Sequence, residues 1–435
     1  MIAPLPDNRG RYKSRQAPQP HPLCSKPEPL AREECAVWTP GWIRDAADKR
    51  VHQSGSAWVD VTIGGYAVWW IERYMRLYQG RWAGEPAVMH GCKSCRRTWV
   101  IPTSYDPDLA VERAESYAEC VSAGHDVSWQ YDLIMRLFGW LRWSDELCKP
   151  VRRFRRGDVW IPKKNAKSPM LAFIGWYLCV GDGVMGQNVY FGAKDGNQAK
   201  EMVGQSAVAA WENSPEIQSA VAYKINEMLF THLDTKSRMK PLSSSNQRTT
   251  KSKEGINGSV LIDEVHVVDA EFMSRIKRAG ISREEPLILG ASTAGLETTG
   301  YGKQRQDYGR DVASGENEGD DDYLFVCYEA PQQTDVTELT EEQAVDLGKS
   351  CNPMWGITVL ETEFRSDFRE SRNSTLDELF DFGTYRLNLW QHSSSPWLRP
   401  SDWDKCAVEY GVSELEGKAC TLGVELSSTH EMKSQ

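Results

Sequence analysis

The residues best suited to chemistry begin with a basic turn at residues 163–168, which reads KKNAKS. The turn follows an apolar, strand-like run and precedes an apolar, helix-like one. A lysine can bring a point charge to the β- and γ-phosphates of a nucleotide, and the hydroxyl beside it can ligate Mg²⁺. Lys167 and Ser168 are therefore candidate ligands of phosphate and magnesium. Asn165 and Ala166 would present backbone N–H groups to the same anion.

This turn departs from the usual phosphate-binding sequence, G-x-x-x-x-G-K-[ST]. Ile161 stands at the first glycine position and Ala166 at the second, so that only the final K-S pair remains. Alone, a basic turn before a helix is more typical of a solvated corner. The segment becomes informative only together with residues further along the chain.

An apolar strand that ends in two carboxylates is predicted at residues 258–266, which read GSVLIDEVH. This is the Walker B pattern. A buried strand would deliver Asp263 to a Mg²⁺ ion, and Glu264 would point to the other side, where it could polarise an attacking water molecule. Apolar strands ending in Asp-Glu also occur by chance. After a Lys-Ser turn, however, this order favours one shared nucleotide site.

Two further elements would complete such a site. The apolar residues 286–291 are followed by Ser292 and Thr293, whose small hydroxyl groups could sense the γ-phosphate. Upstream, Gln130 lies near the start of the stretch 129–140, which predicts a helix that ends at Gly139. Its carboxamide could read an adenine edge, because it offers both a donor and an acceptor. Each signal alone is weak, since strand ends and surface glutamines are common.

Four cysteine and histidine residues lie upstream at spacings that zinc sites use. Cys92 and Cys95 form a Cys-x-x-Cys pair, and Cys120 and His125 follow as Cys-x4-His. Two thiolates and two further ligands can close the tetrahedron that zinc prefers. The second pair has imperfect spacing, so unrelated buried or surface thiols are the alternative. A small zinc-knuckle insertion at residues 90–125 is thus one of two interpretations.

Composition and charge limit the classes of function. The 435 residues, of which 40% are hydrophobic, can form two or three domains. No apolar run reaches about 18 residues and the N-terminus has no apolar signal region, so we expect neither a membrane span nor a secretory signal. The net charge of −10 means that contact with DNA would need local basic patches, unless these are merely solvated. The two patches are Lys149, Arg152, Arg153, Arg155 and Arg156, and Lys236, Arg238, Lys240, Arg248, Lys251 and Lys253.

The order of predicted elements indicates an α/β fold. Strands alternate with helices from about residue 158 to 330, which predicts a mostly parallel sheet covered by helices on both faces. Ligands then bind beyond the carboxyl ends of the strands. The predicted parts are an extended or disordered arm at 1–55, an N-terminal helical region with the cysteine-rich insertion at 56–128, a P-loop ATPase domain at 129–330, and a helical lid or linker subdomain at 331–417.

With these motifs in place, the sequence from about residue 60 to 435 resembles the large terminase subunit of tailed bacteriophages. That family comprises the ATPases that pack viral DNA into a procapsid. The resemblance rests on many short motifs in the family's order. They lie at residues 84–86, 129–130, 138–140, 162–168, 261–266, 292–295, 352–353, 387–390 and 396–398.

The resemblance implies roles for the residues of the nucleotide site. Glu264 would be the catalytic base and Asp263 the carboxylate that binds Mg²⁺. Lys167 and Ser168 would contact the phosphates and Mg²⁺, with Lys167 also acting in catalysis. Gln130 would contact adenine. The cofactors implied are ATP and Mg²⁺, with a structural zinc ion added if the cysteine cluster is a metal site.

The same resemblance assigns coupling and catalytic positions, and it shows departures. Ser292 and Thr293 would couple hydrolysis to movement. Lys163 or Lys164 would stand where the family often carries a catalytic arginine, although a lysine cannot form the bidentate fork of an arginine finger.

Two residues of the turn depart further from the family sequence. Ala166 replaces a glycine, which costs backbone freedom if φ must be positive there. Pro169 removes one N–H from the helix start. We hypothesise that nucleotide binding survives but is weaker.

The last predicted strand concerns a nuclease domain. In the family, a strand reading G-[LV]-D-L-S-S-T opens an RNase H-like nuclease domain with a two-metal site. Residues 422–429 match this strand, with Glu425 in place of the aspartate. Ten residues follow Glu425. One strand supplies neither the remaining carboxylates nor a core. We therefore expect residues 418–435 to be the first strand of an almost entirely missing nuclease domain, without nuclease activity.

The leading hypothesis is an ATP-driven motor that moves double-stranded DNA. The resemblance implies a small terminase subunit and the portal protein as partners, a homo-oligomeric ring of copies, and the cytoplasm of a bacterial host, with no membrane. One alternative is a helicase-type P-loop ATPase, although an arginine-rich motif on a second sheet domain is not evident. The other is a non-catalytic prophage remnant or DNA-binding fragment.

Overall fold

A computed structural model describes residues 57–391, apart from short gaps, and residue 417. The gaps are residues 79, 90–91, 93, 96–98, 126, 194–198, 243–255, 269, 277–279, 281–282, 297–299, 318–319 and 321. The arm expected at residues 1–55 and the strand that carries Glu425 lie outside the described residues. The chain divides into two units, residues 1–393 and 394–435, and all elements below belong to the first.

The elements are numbered here in chain order. The strands are β1 (Ala57–Val59), β2 (Trp140–Ser144), β3 (Lys149–Arg152), β4 (Arg156–Trp160), β5 (Asn188–Gly192), β6 (Val221–Lys224), β7 (Leu229–His232), β8 (Arg238–Pro241), β9 (Ser259–Asp263), β10 (Ile288–Ser292) and β11 (Tyr323–Cys327). The α-helices are α1 (Val61–Tyr74), α2 (Pro107–Ser122), α3 (Trp129–Ile134), α4 (Lys167–Trp176), α5 (Gln205–Glu212), α6 (Pro215–Ala220), α7 (Ala270–Ile276), α8 (Tyr301–Ser314), α9 (Glu341–Cys351), α10 (Glu361–Asn373) and α11 (Leu376–Leu387). Wider π-type turns lie at Met135–Gly139, Tyr177–Gly181 and Lys200–Gly204, and 3₁₀ turns at Gly80–Trp82, Ile225–Glu227 and Val265–Val267. In the part of the chain that is described, no helix is long and apolar enough to cross a membrane.

Eight of the described strands form one large sheet in the order β11-β4-β10-β9-β5-β8-β7-β6. All pairings from β11 across to β8 are parallel, and those of β7 with its two neighbours are antiparallel. The predicted α/β fold with a mostly parallel sheet is therefore confirmed. Every residue of β9 and β10 is buried, as expected of strands covered on both faces.

The register of this sheet gathers the predicted motifs at one edge. Ser292 at the end of β10 pairs with Trp160 at the end of β4, and Ala291 pairs with Asp263 at the end of β9. The basic turn follows β4 directly. Because parallel strands end together, the turn, the carboxylates and the hydroxyl residues must lie close to one another.

The N-terminal region packs around α1. This helix begins after Asp60, whose carboxylate accepts hydrogen bonds from the N–H groups of Thr62 and Ile63. The predicted helix over residues 129–140 is found as α3 and its π-type continuation, which ends at Gly139. The carbonyl of Gly139 accepts from the N–H of Asp60, and a Cβ at this position would lie 3.3 Å from the Asp60 carbonyl oxygen. Close approach of the two segments thus explains the glycine.

The C-terminal part of the described chain is helical and has its own hydrophobic core. Helix α9 begins with a capping box, in which Thr340 and Gln343 bond to each other's backbone N–H groups. Phe364 and Phe368 of α10 each pack edge-on against Phe382 of α11, with ring centroids 5.2 Å apart. We call helices α9–α11 and their connections the lid.

Candidate nucleotide-binding site

The turn between β4 and α4 forms the phosphate loop, residues 161–168. Ala166 caps α4 with φ 62° and ψ 33°, and Lys164 also has a positive φ of 69°. Both are left-handed conformations, which disfavour residues with a Cβ. The positive φ that would make Ala166 unfavourable is therefore present. Its effect on nucleotide affinity stays a prediction.

Lys167 is buried at the base of this loop. Its Nζ donates to the carbonyl oxygens of Ile161 at 3.1 Å and Pro162 at 3.4 Å, and also to Oγ1 of Thr293. Burial lowers the pKa of Lys167, although the nearby carboxylates act in the opposite direction. The ammonium group is thus fixed between the phosphate loop and the end of β10.

Ser168 and Asp263 form the part of the site suited to a cation. The Ser168 hydroxyl donates to Oδ2 of Asp263 at 2.5 Å, and the Asp263 side chain is fully buried. Burial, together with the charge of Glu264, raises the pKa of Asp263 to about 6. A cation would favour the charged carboxylate, and Mg²⁺ prefers hydroxyl and carboxylate oxygens. The donor set therefore fits Mg²⁺.

Glu264 follows the strand in a left-handed conformation, with φ 54°. Its Oε2 lies 3.1 Å from Nδ1 of His266 but has no partner with hydrogen-bond geometry among the described residues. Burial opposes ionisation, but the adjacent His266 and the Lys167 ammonium outweigh it, so the pKa of Glu264 is lowered. Glu264 is therefore a charged carboxylate beside the His266 ring.

His266 connects Glu264 to the residues at the end of β10. Its backbone N–H donates to Oγ of Ser292 at 3.0 Å, and its ring Nδ1 lies 3.0 Å from the same oxygen. The Ser292 hydroxyl donates to the carbonyl oxygen of Thr293 at 2.9 Å, and the Thr293 hydroxyl to that of Ile161 at 3.0 Å. The sequence analysis assigned no role to His266. Its only signal was its place in the DEVH motif.

The phosphate loop is bonded to the lid through Asn165. Its buried amide donates to Oδ1 of Asn352 at 2.8 Å, and its Oδ1 accepts from the N–H of Met354 at 3.0 Å. Asn352 also donates to the carbonyl oxygens of Gly348 and Arg386, each at 2.9 Å. Its amide therefore joins α9, α11 and the phosphate loop, a role that sequence reasoning missed.

Lys163 and Lys164 also contact the lid. The Lys163 N–H donates to the carbonyl oxygen of Tyr385 at 2.8 Å, and its Nζ lies 3.4 Å from the centroid of the Tyr385 ring. Thr358 donates to the carbonyl oxygen of Lys164 at 2.5 Å, while the Lys164 side chain is exposed. The two candidate catalytic lysines thus differ in surroundings.

Gln130, the predicted adenine contact, lies in the first turn of α3. Its Oε1 accepts from the Ser128 hydroxyl at 3.0 Å, and its Nε2 donates to Sδ of Met354 at 3.1 Å. Because the Met354 backbone also bonds Asn165, the predicted adenine contact and the phosphate loop meet at one lid residue.

The four predicted metal ligands come together in space. The ligand atoms of Cys92, Cys95, Cys120 and His125 all lie within 4.8 Å of one another. Sγ of Cys92 lies 3.5 Å from Nδ1 of His125, and Sγ of Cys95 lies 3.7 Å from Sγ of Cys120. Burial and the neighbouring thiols raise the pKa of Cys120 to about 12. The Cys120 thiol therefore needs a cation if it is to ionise near neutral pH.

The first basic patch is largely neutralised by acidic partners. Nε of Arg152 lies 3.9 Å from Oε1 of Glu285. Nη2 of Arg156 lies 2.6 Å from a carboxylate oxygen of both Asp320 and Asp322. The second patch lies partly outside the described residues. The geometry therefore gives the first patch a structural explanation that does not involve DNA.

Comparison with known families assigns the domains. The model described as "Terminase large subunit, ATPase domain" matches residues 128–311, and the one described as "Terminase large subunit, endonuclease domain" matches residues 317–434. Together they cover more than half of the chain. The chain belongs to the terminase large subunit family. No curated protein sequence matches it.

Two solved structures of phage large terminases match parts of this chain. The crystal structure of the HK97 bacteriophage large terminase is 19% identical, with a TM-score of 0.52, and the match covers 79% of this chain and 58% of that one. The ATPase domain of the Thermus phage P74-26 large terminase is 16% identical, with a TM-score of 0.31, and the match covers 40% of this chain and 75% of that one. The HK97 likeness supports the fold of the ATPase region. The chain thus spans little more than half of the length of that relative.

The endonuclease match corrects two expectations. We expected the nuclease domain to be almost entirely missing and the chain to have no nuclease activity, but the family model matches residues 317–434. The expectation treated only the strand with Glu425 as nuclease sequence. The matched range begins well before that strand, so the short stretch after Glu425 does not measure how much of the domain is present.

Proposed function

We propose that this chain is the ATPase motor subunit of a viral DNA-packaging terminase. It would couple ATP hydrolysis to the movement of double-stranded DNA into a procapsid. The observation that carries the proposal is the meeting of Lys167, Ser168, Asp263 and Glu264 at the carboxyl ends of β4 and β9, within the range matched by the terminase ATPase model. Of the residues described, these have the donor set that phosphoryl transfer needs.

Each residue of the site has a proposed task. Lys167 would bind the β- and γ-phosphates, and Asn165 and Ala166 would present backbone N–H groups to them. Ser168 and Asp263 would hold Mg²⁺, which neutralises charge on the phosphate oxygens.

Hydrolysis itself would depend on Glu264. Its carboxylate, which the neighbouring His266 and Lys167 keep charged, would orient the attacking water and take up its proton. Ser292 and Thr293 would transmit the state of the site, since His266 contacts both Glu264 and Ser292. This is a proposal for coupling by direct contact.

The two lysines of the loop would share the task of the missing arginine. The Lys164 side chain is exposed, although its backbone carbonyl is bonded by Thr358, whereas the Lys163 ammonium lies over the Tyr385 ring. A cation over an aromatic ring must give up that attraction before it reaches a phosphate. We therefore favour Lys164 for stabilising charge in the transition state, with Lys163 positioning the loop.

The assignment to this family supports proposals for partners. They are double-stranded DNA, the small terminase subunit and the portal protein of the procapsid, with several copies of the chain in a homo-oligomeric ring. The site of action would be the cytoplasm of the bacterial host. These partners are proposed from the family alone.

The endonuclease match also supports DNA cleavage as a second proposed activity. Glu425 would supply a metal-binding carboxylate, since it stands where the family has an aspartate. Cleavage of plasmid DNA by the chain with Mn²⁺ would be lost in Glu425→Ala. Equal cleavage by both would mean that Glu425 has no part in it.

We also propose a structural zinc ion at the cysteine cluster. With Zn–S bonds of about 2.3 Å and Zn–N bonds of about 2.0–2.1 Å, a tetrahedral site separates two sulfurs by about 3.8 Å and sulfur from nitrogen by about 3.6 Å. The corresponding separations are 3.7 Å for Cys95 with Cys120 and 3.5 Å for Cys92 with His125. These two separations match a tetrahedral zinc site, and all four ligand atoms lie within 4.8 Å of one another.

The ATPase proposal is tested by steady-state phosphate release. Glu264→Gln removes the base but keeps the size of the side chain, so the rate should fall by about 100-fold or more. Glu338→Gln, on an exposed glutamate that precedes the lid, is the matched control and should keep the rate. Equal rates from wild type and Glu264→Gln would leave only a binding role, as in the non-catalytic alternative.

DNA substrates separate the motor from the helicase alternative. A packaging motor should displace a triplex-forming oligonucleotide from double-stranded DNA without unwinding a forked duplex. ATP-dependent unwinding of the fork would favour the helicase.

A further inference from the structure

The cysteine cluster is joined by the backbone to the helix that carries Gln130. Cys92 pairs with Val127 in an isolated antiparallel bridge. The next residue, Ser128, caps α3. Its hydroxyl oxygen accepts from the N–H of Tyr131 at 3.3 Å, and its hydroxyl donates to Oε1 of Gln130 at 3.0 Å. One metal ligand is thus paired directly with the residue that precedes this cap.

Helix α2 supports α3 from a second direction. It carries Cys120, and its Tyr117 packs on Tyr131 of α3 with ring centroids 4.8 Å apart. Both rings are buried. Arg113 of α2 lies 5.8 Å from the Tyr131 ring and is held by a buried ion pair with Glu72 at 2.8 Å. The ligands therefore lie on the two segments that hold the start of α3.

The orientation of the Gln130 carboxamide depends on these segments. Ser128 fixes its oxygen, which leaves the amide nitrogen directed at the Met354 sulfur. A carboxamide that reads a base must present its donor and acceptor in one order, because the reversed order matches a different base edge.

We propose that a zinc ion bound by Cys92, Cys95, Cys120 and His125 positions Gln130 for recognition of adenine. The ion acts as a cross-link between the segment around residue 92, the end of α2 and the start of α3. Gln130 is the contact residue, and the four ligands are positioning residues. This inference rests on the nucleotide role given to Gln130 in the proposed function.

The segment around Cys92 and Cys95 needs such a cross-link. In the described part of the chain, no helix or strand lies between Trp82 and Pro107, and Cys95 is exposed. Ala87 and Met89 anchor the beginning of this segment in the hydrophobic core, but among the described residues no helix or strand fixes the part that carries the two cysteines. Zinc bound by four ligands supplies that conformational restraint directly.

The test compares base preference with zinc content in the full chain. Zinc is measured by elemental analysis, and dissociation constants are measured with Mg²⁺ for AMP-PNP, GMP-PNP and tripolyphosphate. Wild type should hold one zinc ion and prefer AMP-PNP. His125→Ala should lose zinc and reduce that preference by about 10-fold, the scale expected when a base-reading contact is lost. Its affinity for tripolyphosphate should not change, because the phosphate loop is intact.

Two variants serve as controls. His125→Cys keeps four zinc ligands and should keep both zinc and base preference. Gln130→Ala should lose the preference but keep zinc, and removing zinc from it should have no further effect. The two perturbations would then act through one contact.

The inference is overturned if wild type contains no zinc, or if zinc-free His125→Ala keeps its base preference. It is also overturned if His125→Ala loses tripolyphosphate binding, because zinc would then support the fold in general. A different result would contradict the proposed function. A wild-type chain that binds neither AMP-PNP nor tripolyphosphate would contradict the nucleotide site itself, whatever its zinc content.

Discussion

Replacing two unusual residues, Ala166 in the phosphate loop and Pro169 just after it, should improve the site in two separable ways. Pro169 is the third residue of α4, which begins at Lys167. The first N–H groups of a helix have no partner within it and are available to an anion, but proline has none. Ala166 caps the same helix in a left-handed conformation that glycine adopts without strain.

The expected magnitudes differ because the two changes act on different equilibria. An N–H restored by Pro169→Ala and bonded to a phosphate contributes about 1.5–3 kcal/mol, so nucleotide affinity should rise by about 10-fold or more. Ala166→Gly relieves strain of about 1–2 kcal/mol in free and bound protein alike. The greater freedom of glycine in the unfolded chain offsets about 0.4–1 kcal/mol of this. Stability should therefore rise by no more than about 1.6 kcal/mol, with little change in affinity.

The two effects are measured on the two single variants and the double variant. Calorimetric titration with AMP-PNP and Mg²⁺ gives the dissociation constant, and thermal unfolding gives a Tm shift of at most about 2–4 °C for Ala166→Gly. Pro215→Ala is the matched control, because Pro215 also lies in the first turn of a helix, α6. If the double variant binds no more tightly than wild type, the hypothesis that these residues weaken binding is wrong. An affinity gain from Ala166→Gly alone would refute the division between the two effects.

Three further changes test the surroundings of the site. Asn352→Ala leaves the buried amide of Asn165 and two carbonyls without their partner, so the free energy of unfolding should fall by roughly 1–3 kcal/mol in a urea titration. Arg305→Ala leaves the buried Asp158 carboxylate without its ion pair and should cost about 3–5 kcal/mol in the same assay. Burial raises the pKa of Asp263 to about 6, above its value in the unfolded chain, so its contribution to stability is present below about pH 4 and is lost as the pH rises through about 6. Asp263→Asn should remove that loss when unfolding is measured without Mg²⁺ between pH 4 and 7.

Each of these changes has a control or a contradicting result. Asn373→Ala, at the exposed end of α10, should leave stability unchanged beside Asn352→Ala. Glu227→Ala breaks the exposed pair with Lys224 and should cost no more than about 1 kcal/mol. A cost for Arg305→Ala as small as that of Glu227→Ala would mean that its ion pair is not effectively buried. If Asp263→Asn and wild type lose stability in parallel as the pH rises, another group is responsible.

The nucleotide side of the fold could be predicted because each element has a local signal. An apolar run ending in Asp263 can be recognised within a few residues, and so can a Lys-Ser pair that opens a helix. Parallel strands then bring these ends together without any knowledge of packing. A positive φ at position 166 could be anticipated only as a condition, because the family has a glycine there, and the structure has φ 62°.

The contacts between the lid and the phosphate loop have no such signal. Asn165 and Asn352 lie 187 positions apart, and no periodicity connects a turn residue with a residue at the end of a helix. The arginines at and before the start of β4 are a second case in which the sequence pattern does not predict the contacts. A run of basic residues suggests a patch for DNA, but the field that it makes depends on the carboxylates that folding brings to it, and those of Asp320 and Asp322 lie 2.6 Å from Arg156. Periodicity along the chain therefore identifies the strands and helices that carry this site. The bonds that hold its loop are set by tertiary packing, which only the coordinates of distant residues can supply.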